Sequence, residues 1–263
     1  VSFLEAVVLG LVQGLTEFLP VSSSGHLVMG QALLGIDLPG VTFEVTVHLA
    51  TLCAVLWVYR SRVGSLALGS VRGDRASWKY LGLLVLASIP AGLAGVLARD
   101  WFESAFNRPT FAASMLLLTG LLVYSIRRTA PRAEDPAPDA KRAVWIGLAQ
   151  AAAILPGISR SGATVAMGTW HGVDAVAVAE FSFLMSVPAI LGAGLLQLGD
   201  AGGGGPATPV LAAGFAAALV AGISAIRLFV KMLEAGAFHR FAWYCWVAGS
   251  AYLVAAALNP GLR

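Results

Sequence analysis

Gln13-Gly-Leu-Thr-Glu17-Phe-Leu-Pro20-Val-Ser22-Ser23-Ser24-Gly25-His26 interrupts an apolar run that extends from about residue 4 to residue 34. Proline lacks the N–H that a helix interior needs, and serine caps a new N-terminus, so this stretch ends one helix and starts another. A second stretch, Leu155-Pro156-Gly157-Ile158-Ser159-Arg160-Ser161-Gly162-Ala163-Thr164, breaks the run 144–170 in the same way. An offset of 137 residues superposes Gly10 on Gly147, Leu11 on Leu148, Gln13 on Gln150, Ser22 on Ser159, Ser24 on Ser161 and Gly25 on Gly162. Pro20 and Pro156 fall one residue out of step. Each broken run is followed by three unbroken apolar stretches, 43–59, 80–97 and 110–126 in one case and 176–198, 210–230 and 241–258 in the other. These approach the roughly 20 residues a helix needs to cross a bilayer.

The repeated order predicts two halves, 1–130 and 141–263, joined by a polar cytoplasmic linker over 131–140. The expected fold is an all-α membrane protein with six transmembrane helices and two re-entrant helical hairpins. Three spans per half is an odd number, so the second half is expected to be inverted relative to the first. Composition agrees: 58% of the 263 residues are hydrophobic and 12% charged, with a mean hydropathy of +0.80, which excludes an ordinary soluble domain. The seven tryptophans, Trp57, Trp78, Trp101, Trp145, Trp170, Trp243 and Trp246, mostly cluster near span ends, as an interfacial belt does.

Loop charges set the expected orientation. Arg60, Arg62, Arg72, Arg75, Lys79, Arg127, Arg128, Arg132, Lys141, Arg142, Arg227, Lys231 and Arg240 fall on one side, against Arg99, Arg108 and Arg263 on the other. The first group belongs in the cytoplasm by the positive-inside rule, which leaves both termini outside. One hairpin then enters from each face, and their broken tips can meet. The first residues lack the basic n-region of a cleaved signal peptide. Basic residues beside membrane helices are orientation signals first, so the formal charge of +3 is given no weight toward nucleic acid. Cys53 and Cys245 lie in apolar stretches with no Cys or His at metal spacing, so neither a disulfide nor a zinc site is expected.

Irregular backbone at membrane depth is tolerated where protein or a watery cavity satisfies its polar groups. Two Ser/Gly-rich tips therefore point to a polar cavity. Gln13 and Glu17, spaced i, i+4, share a helix face, and the helix starting after them offers free N–H groups to a phosphate oxygen. Arg160 sits between two hydroxyls, where its planar guanidinium can grip a phosphate through two parallel bonds. An ionised arginine at such depth needs a partner, and Glu17 of the facing tip is the candidate. Blander readings stand beside these. Ser22 and Ser161 suit close helix packing, His26 a packing hydrogen bond, and Arg160 with Glu17 a structural ion pair. Glu44 and Glu180 suit helix starts, and His48, His171 and Asp174 read as structural.

Taken together, Glu17-Phe-Leu-Pro-Val-Ser-Ser-Ser-Gly-His26 and Pro156-Gly-Ile-Ser-Arg-Ser-Gly-Ala-Thr164 resemble the two motifs of the bacterial undecaprenyl pyrophosphate phosphatase, or bacitracin-resistance, family. The resemblance extends over essentially the whole chain, including Thr42-Phe-Glu44 and Glu180-Phe-Ser-Phe183. It implies a metal-assisted phosphatase that recycles the lipid carrier of peptidoglycan synthesis, in the bacterial inner membrane, with its active site reached from the periplasm. The family's glutamate motif matches at Glu17, its serine-histidine motif at Ser23 and His26, and its arginine motif at Ser159, Arg160 and Thr164. Relatives often carry Glu where this chain has Gln13, whose amide removes one anionic ligand from that helix.

The expected chemistry is removal of the terminal phosphate of a polyprenyl pyrophosphate whose tail stays among membrane lipids. Ser23 is the expected nucleophile and His26 the acid/base, with metal-activated water as the alternative. Glu17, assisted by Gln13, is expected to hold Mg²⁺ or Ca²⁺. Ser22, Ser24, Gly25, Ser159, Ser161, Gly162 and Thr164 are expected to cradle the substrate with Arg160. A different class stays open: broken helices in inverted repeats also build secondary transporters and could flip a lipid phosphate. The sequence leaves oligomeric state open, a homodimer included.

Overall fold

The computed structural model describes residues 2–34, 41–198 and 207–262, and every regular element among them is a helix. In chain order these are α1 (Phe3–Phe18), α2 (Ser23–Leu34), α3 (Val41–Val58), α4 (Arg60–Val71), α5 (Arg75–Leu97), α6 (Arg99–Phe106), α7 (Pro109–Thr129), α8 (Ala140–Ala152), α9 (Arg160–Trp170), α10 (Ala175–Leu198), α11 (Thr208–Glu234) and α12 (Phe241–Leu258). Short 3₁₀ turns follow α7, α11 and α12. Helices α5, α7, α10, α11 and α12 are long and apolar enough to cross a membrane, and α3 joins them if it is taken with α4, from which it is bent by 77°. The chain is an integral membrane protein.

Each expected apolar stretch falls within one helix, apart from an end residue at position 59. Helices α4 and α6 were not anticipated, because their polar, Arg-bearing sequences carry no spanning signal. Sequence chemistry fixes the ends of several elements. Ser2 and Glu5 form a capping box at the start of α1, with Ser2 Oγ accepting from Glu5 N–H at 3.3 Å and Glu5 Oε2 from Ser2 N–H at 2.9 Å. Asp74 caps α5; the Ser77 hydroxyl at 2.7 Å, with backbone N–H bonds, holds its carboxyl below the usual carboxylate range. The stretch after α7 is pinned rather than free: Glu134 and Asp135 N–H groups donate to Gly172 O, and Asp139 caps α8.

Helix α1 packs chiefly on α11, and α8 packs on α5. Small residues make both approaches close. A side-chain carbon on Gly10 would meet Gly214 O at 2.4 Å, one on Gly14 would meet Ala218 O at 2.4 Å, and one on Gly147 would meet Ala87 O at 2.3 Å. Gly10 and Gly147, the pair matched by the sequence offset, therefore do the same work on α1 and α8. Helices α7 and α12 pack along each other. Behind the tips runs an edge-to-face column of buried rings, Phe18 to Phe183 at 5.5 Å, Phe183 to Phe229 at 5.0 Å and Phe229 to Phe238 at 4.6 Å. It ties α1, α10 and α11 into a firm wall.

Candidate active site

Pro20 and Pro156-Gly157 stop α1 and α8 short, and α2 and α9 restart at Ser23 and Arg160. The two breaks touch. Gly157 N–H donates to Ser22 Oγ at 3.1 Å, Ser161 Oγ donates to Phe18 O at 2.8 Å, and a side chain on Gly25 would lie 2.8 Å from Gly157 Cα. Gly157 has φ +96°, and any side chain there would meet Ala112 O at 2.0 Å, so the position demands glycine. Each break carries the same local bonds. Ser22 Oγ accepts from Gly25 N–H and contacts Ser24 Oγ at 3.3 Å; Ser159 Oγ accepts from Gly162 N–H and contacts Ser161 Oγ at 3.2 Å. They differ in one respect: Ser22 is left-handed at φ +63°, a strained conformation for a side chain, whereas Ser159 has φ −74°.

The polar cluster forms where the tips meet. Arg160 Nη2 donates to Glu17 Oε1 at 2.9 Å, with both side chains largely withdrawn from solvent at 15% and 12% exposure. Glu17 Oε2 accepts from Ser23 Oγ at 3.0 Å and from Gln13 Nε2 at 3.2 Å. The other Gln13 contact is His48 Nε2, at 3.2 Å. His48 Nδ1 faces Glu44 O at 2.8 Å, and a carbonyl can only accept, so Nδ1 carries the proton and Nε2 accepts from the Gln13 amide. This fixes the amide orientation. Among the described residues the Gln13 carbonyl oxygen has no protein partner. Arg160 Nη1 reaches Ser182 O at 3.4 Å, and Thr164 Oγ1 contacts Ser182 Oγ at 2.7 Å.

Of the residues expected at the site, the structure brings Gln13, Glu17, Ser23 and Arg160 together. His26 turns elsewhere: Nδ1 donates to Ser22 O at 2.9 Å and Nε2 pairs with Tyr244 OH at 2.7 Å, so neither ring nitrogen meets Ser23. Ser22, Gly25, Ser159, Ser161, Gly162 and Thr164 are buried, and the hydroxyls among them bond within the protein. They hold the tips together as placed, while Ser24 is partly exposed. His48, structural by its sequence context, touches the cluster; its signal is the Glu44-x-x-x-His48 spacing of two polar groups within an apolar helix. Thr119 of α7 was also missed. Its hydroxyl donates to Gly157 O at 2.7 Å and accepts from Ser159 N–H at 3.0 Å, clamping the second tip.

A family model described as "Bacitracin resistance protein BacA" matches residues 6–251. The chain belongs to the BacA family. Curated relatives named undecaprenyl-diphosphatase span it almost end to end. That of Desulfosudis oleivorans is 40% identical over 95% of this chain and 97% of its own, and that of Syntrophotalea carbinolica 41% over 95% and 98%. The Rubrobacter xylanophilus protein is 42% identical over 97% of this chain and 98% of its own. The BacA match contains both breaks and every residue of the polar cluster.

Among the described residues no group of three His, Cys, Asp or Glu side chains is disposed to hold a metal ion. Glu17 is the one carboxylate of the cluster, and Arg160 already balances it. Mg²⁺, however, is commonly bound by one or two carboxylates together with substrate phosphates. Glu17 and the Gln13 oxygen would suit an ion of that kind.

Proposed function

We propose that this chain hydrolyses undecaprenyl pyrophosphate to undecaprenyl phosphate and inorganic phosphate, so that the lipid carrier of peptidoglycan synthesis returns to use and bacitracin is resisted. The observation that carries the reading is the bonded series Ser23 Oγ, Glu17, Arg160, a hydroxyl, a carboxylate and a guanidinium within hydrogen-bond reach of one another. Ser23 Oγ attacks the terminal phosphorus while Glu17 Oε2 takes its proton. Arg160 leaves Glu17 to grip the phosphoryl oxygens, because phosphoryl transfer depends mainly on positioning and charge stabilisation. His26, in its doubly protonated state, gives the Nε2 proton to the lipid phosphate as the bridging P–O bond breaks. Water then attacks the phosphoserine, its proton going to His26, and Glu17 returns its proton to Ser23 Oγ as inorganic phosphate leaves. Glu17 and Gln13 would hold a Mg²⁺ or Ca²⁺ ion, which supplies further charge neutralisation. The strained Ser22 backbone, present in the first tip alone, supports a working role for that tip. A flippase needs the arginine but not a serine bonded to a carboxylate beside it.

The same reading places six spans and two re-entrant hairpins in inverted halves, 1–130 and 141–263, within the bacterial inner membrane. The cross-packing of α1 on α11 and α8 on α5, and the matching tip bonds, support that arrangement. The termini lie outside and the site opens to the periplasm. Purified protein is expected to release inorganic phosphate from undecaprenyl pyrophosphate, with a chelator lowering the rate at least tenfold and added Mg²⁺ or Ca²⁺ restoring it. No phosphate release under any metal condition would refute the assignment. Orientation is tested separately, after replacement of Cys53 and Cys245. A cysteine at Asp100 is expected to react with an impermeant thiol reagent outside intact cells, and one at Arg72 is not. Equal labelling of the two sites would overturn the inverted arrangement. Asp200, the matching outside probe for the second half, lies outside the described residues.

A further inference from the structure

Of the four expected catalytic residues, Glu17, Ser23, His26 and Arg160, only the His26 side chain makes no bond to another of them, and what its Nε2 bonds comes from the far end of the chain. Tyr244 of α12 reaches its Nε2 at 2.7 Å, and the two rings lie stacked, 5.6 Å between centroids and 10° from parallel. The other nitrogen is fixed by its own helix. Ser22 O, a carbonyl, only accepts, so Nδ1 carries the ring proton and the neutral Nε2 is an acceptor. Tyr244 therefore donates its hydroxyl proton to Nε2. When the ring takes up a second proton the bond reverses, and Nε2–H donates to the phenol oxygen. A tyrosine hydroxyl is donor and acceptor, so one partner accommodates both states of the imidazole without moving.

We infer that Tyr244 is the positioning residue for His26: its hydroxyl holds the ring in one tautomer and one plane, and presents Nε2 as the nitrogen that exchanges a proton during turnover. This rests on the role proposed for His26 in the reaction. Three further observations carry it. The neighbouring Cys245 is buried, and its thiol reaches Pro20 O at 3.4 Å, so α12 docks directly on the break that precedes His26. Tyr244 is 49% exposed and His26 partly so, which leaves the pair an open edge toward substrate or water. At the offset of 137 residues His26 corresponds to Ala163, so the pair has no counterpart in the second tip. A bond serving only the packing of hairpin on helix would have no reason to be confined to the tip that carries Ser23 and Glu17.

Tyr244→Phe separates the two contacts, since the ring stays stacked and the hydroxyl is lost. The expected result is a fall in kcat of about tenfold with KM nearly unchanged, the size of effect given by one neutral hydrogen bond. In ¹⁵N spectra of histidine-labelled protein, His26, assigned by the loss of its signals in His26→Gln, should show a protonated Nδ1 and an acceptor Nε2. In Tyr244→Phe that pair should move toward a tautomer mixture. The double variant Tyr244→Phe/His26→Gln should be no slower than His26→Gln alone. Unchanged His26 signals in Tyr244→Phe would overturn the proposal, as would full additivity in the double variant. A His26→Gln protein with undiminished turnover would instead refute the proposed role of His26 in the reaction, and the spectra would still report whether Tyr244 holds the ring.

Discussion

Ser23→Ala is expected to lower phosphate release from undecaprenyl pyrophosphate by a thousandfold or more while leaving substrate binding near its original strength. A nucleophile that acts in concert with its base contributes on this scale when removed. The structure places Ser23 Oγ at 3.0 Å from Glu17 Oε2, so its proton has somewhere to go. The neighbouring hydroxyls are differently occupied: Ser22 Oγ accepts from two backbone N–H groups, and Ser24 Oγ has Ser22 Oγ for company. Ser24→Ala should therefore keep a substantial part of the activity. Ser22→Ala should lose activity together with stability, because it undoes a bond between the tips. Single-turnover phosphate release by Ser23→Ala at more than about a tenth of the normal rate would eliminate the covalent route and leave water as the attacking group.

Arg160→Lys is expected to cost about 10²- to 10³-fold in kcat/KM, the range found when one charge-stabilising donor is taken from a developing oxyanion. The ammonium keeps the charge that Glu17 requires, so the protein should still fold. It cannot reproduce the planar fork that makes two parallel bonds to a phosphate. Arg160 is also braced by Ser182 O at 3.4 Å, a contact shaped for a guanidinium extending across α10. Near-normal turnover in the lysine protein, with circular dichroism and thermal unfolding unchanged, would reduce Arg160 to a structural counter-ion for Glu17.

The breaks, the long apolar helices and the Glu17–Arg160 pair could be read from the sequence because each has a local signature: a proline, a serine cluster, an apolar run, a charge with nowhere to hide. Partnerships between uncharged side chains across long separations had no such mark. Tyr244 looked like one more aromatic in an apolar stretch, 218 residues from His26. His48 is 35 residues from Gln13 and was assigned to packing for the same reason. The serines of the expected cradle also make bonds that no local signature announces: Ser159 caps α9 and Ser161 reaches the opposite tip. Periodicity could not foresee α4 and α6, since neither carries a run of apolar residues long enough to register.

The seating of α1 on α11 has a bearing on how the chain is made. Synthesis delivers Glu17 early, and its charge partner and its helical seat only after more than half the protein has followed. Until then the first hairpin has a carboxylate without a counter-ion and a glycine-lined face without a neighbour. The contacts that α1 makes in the folded protein can form only once α9 and α11 have been made. Helix α1 is therefore made before the elements that seat it, and its final packing waits on theirs.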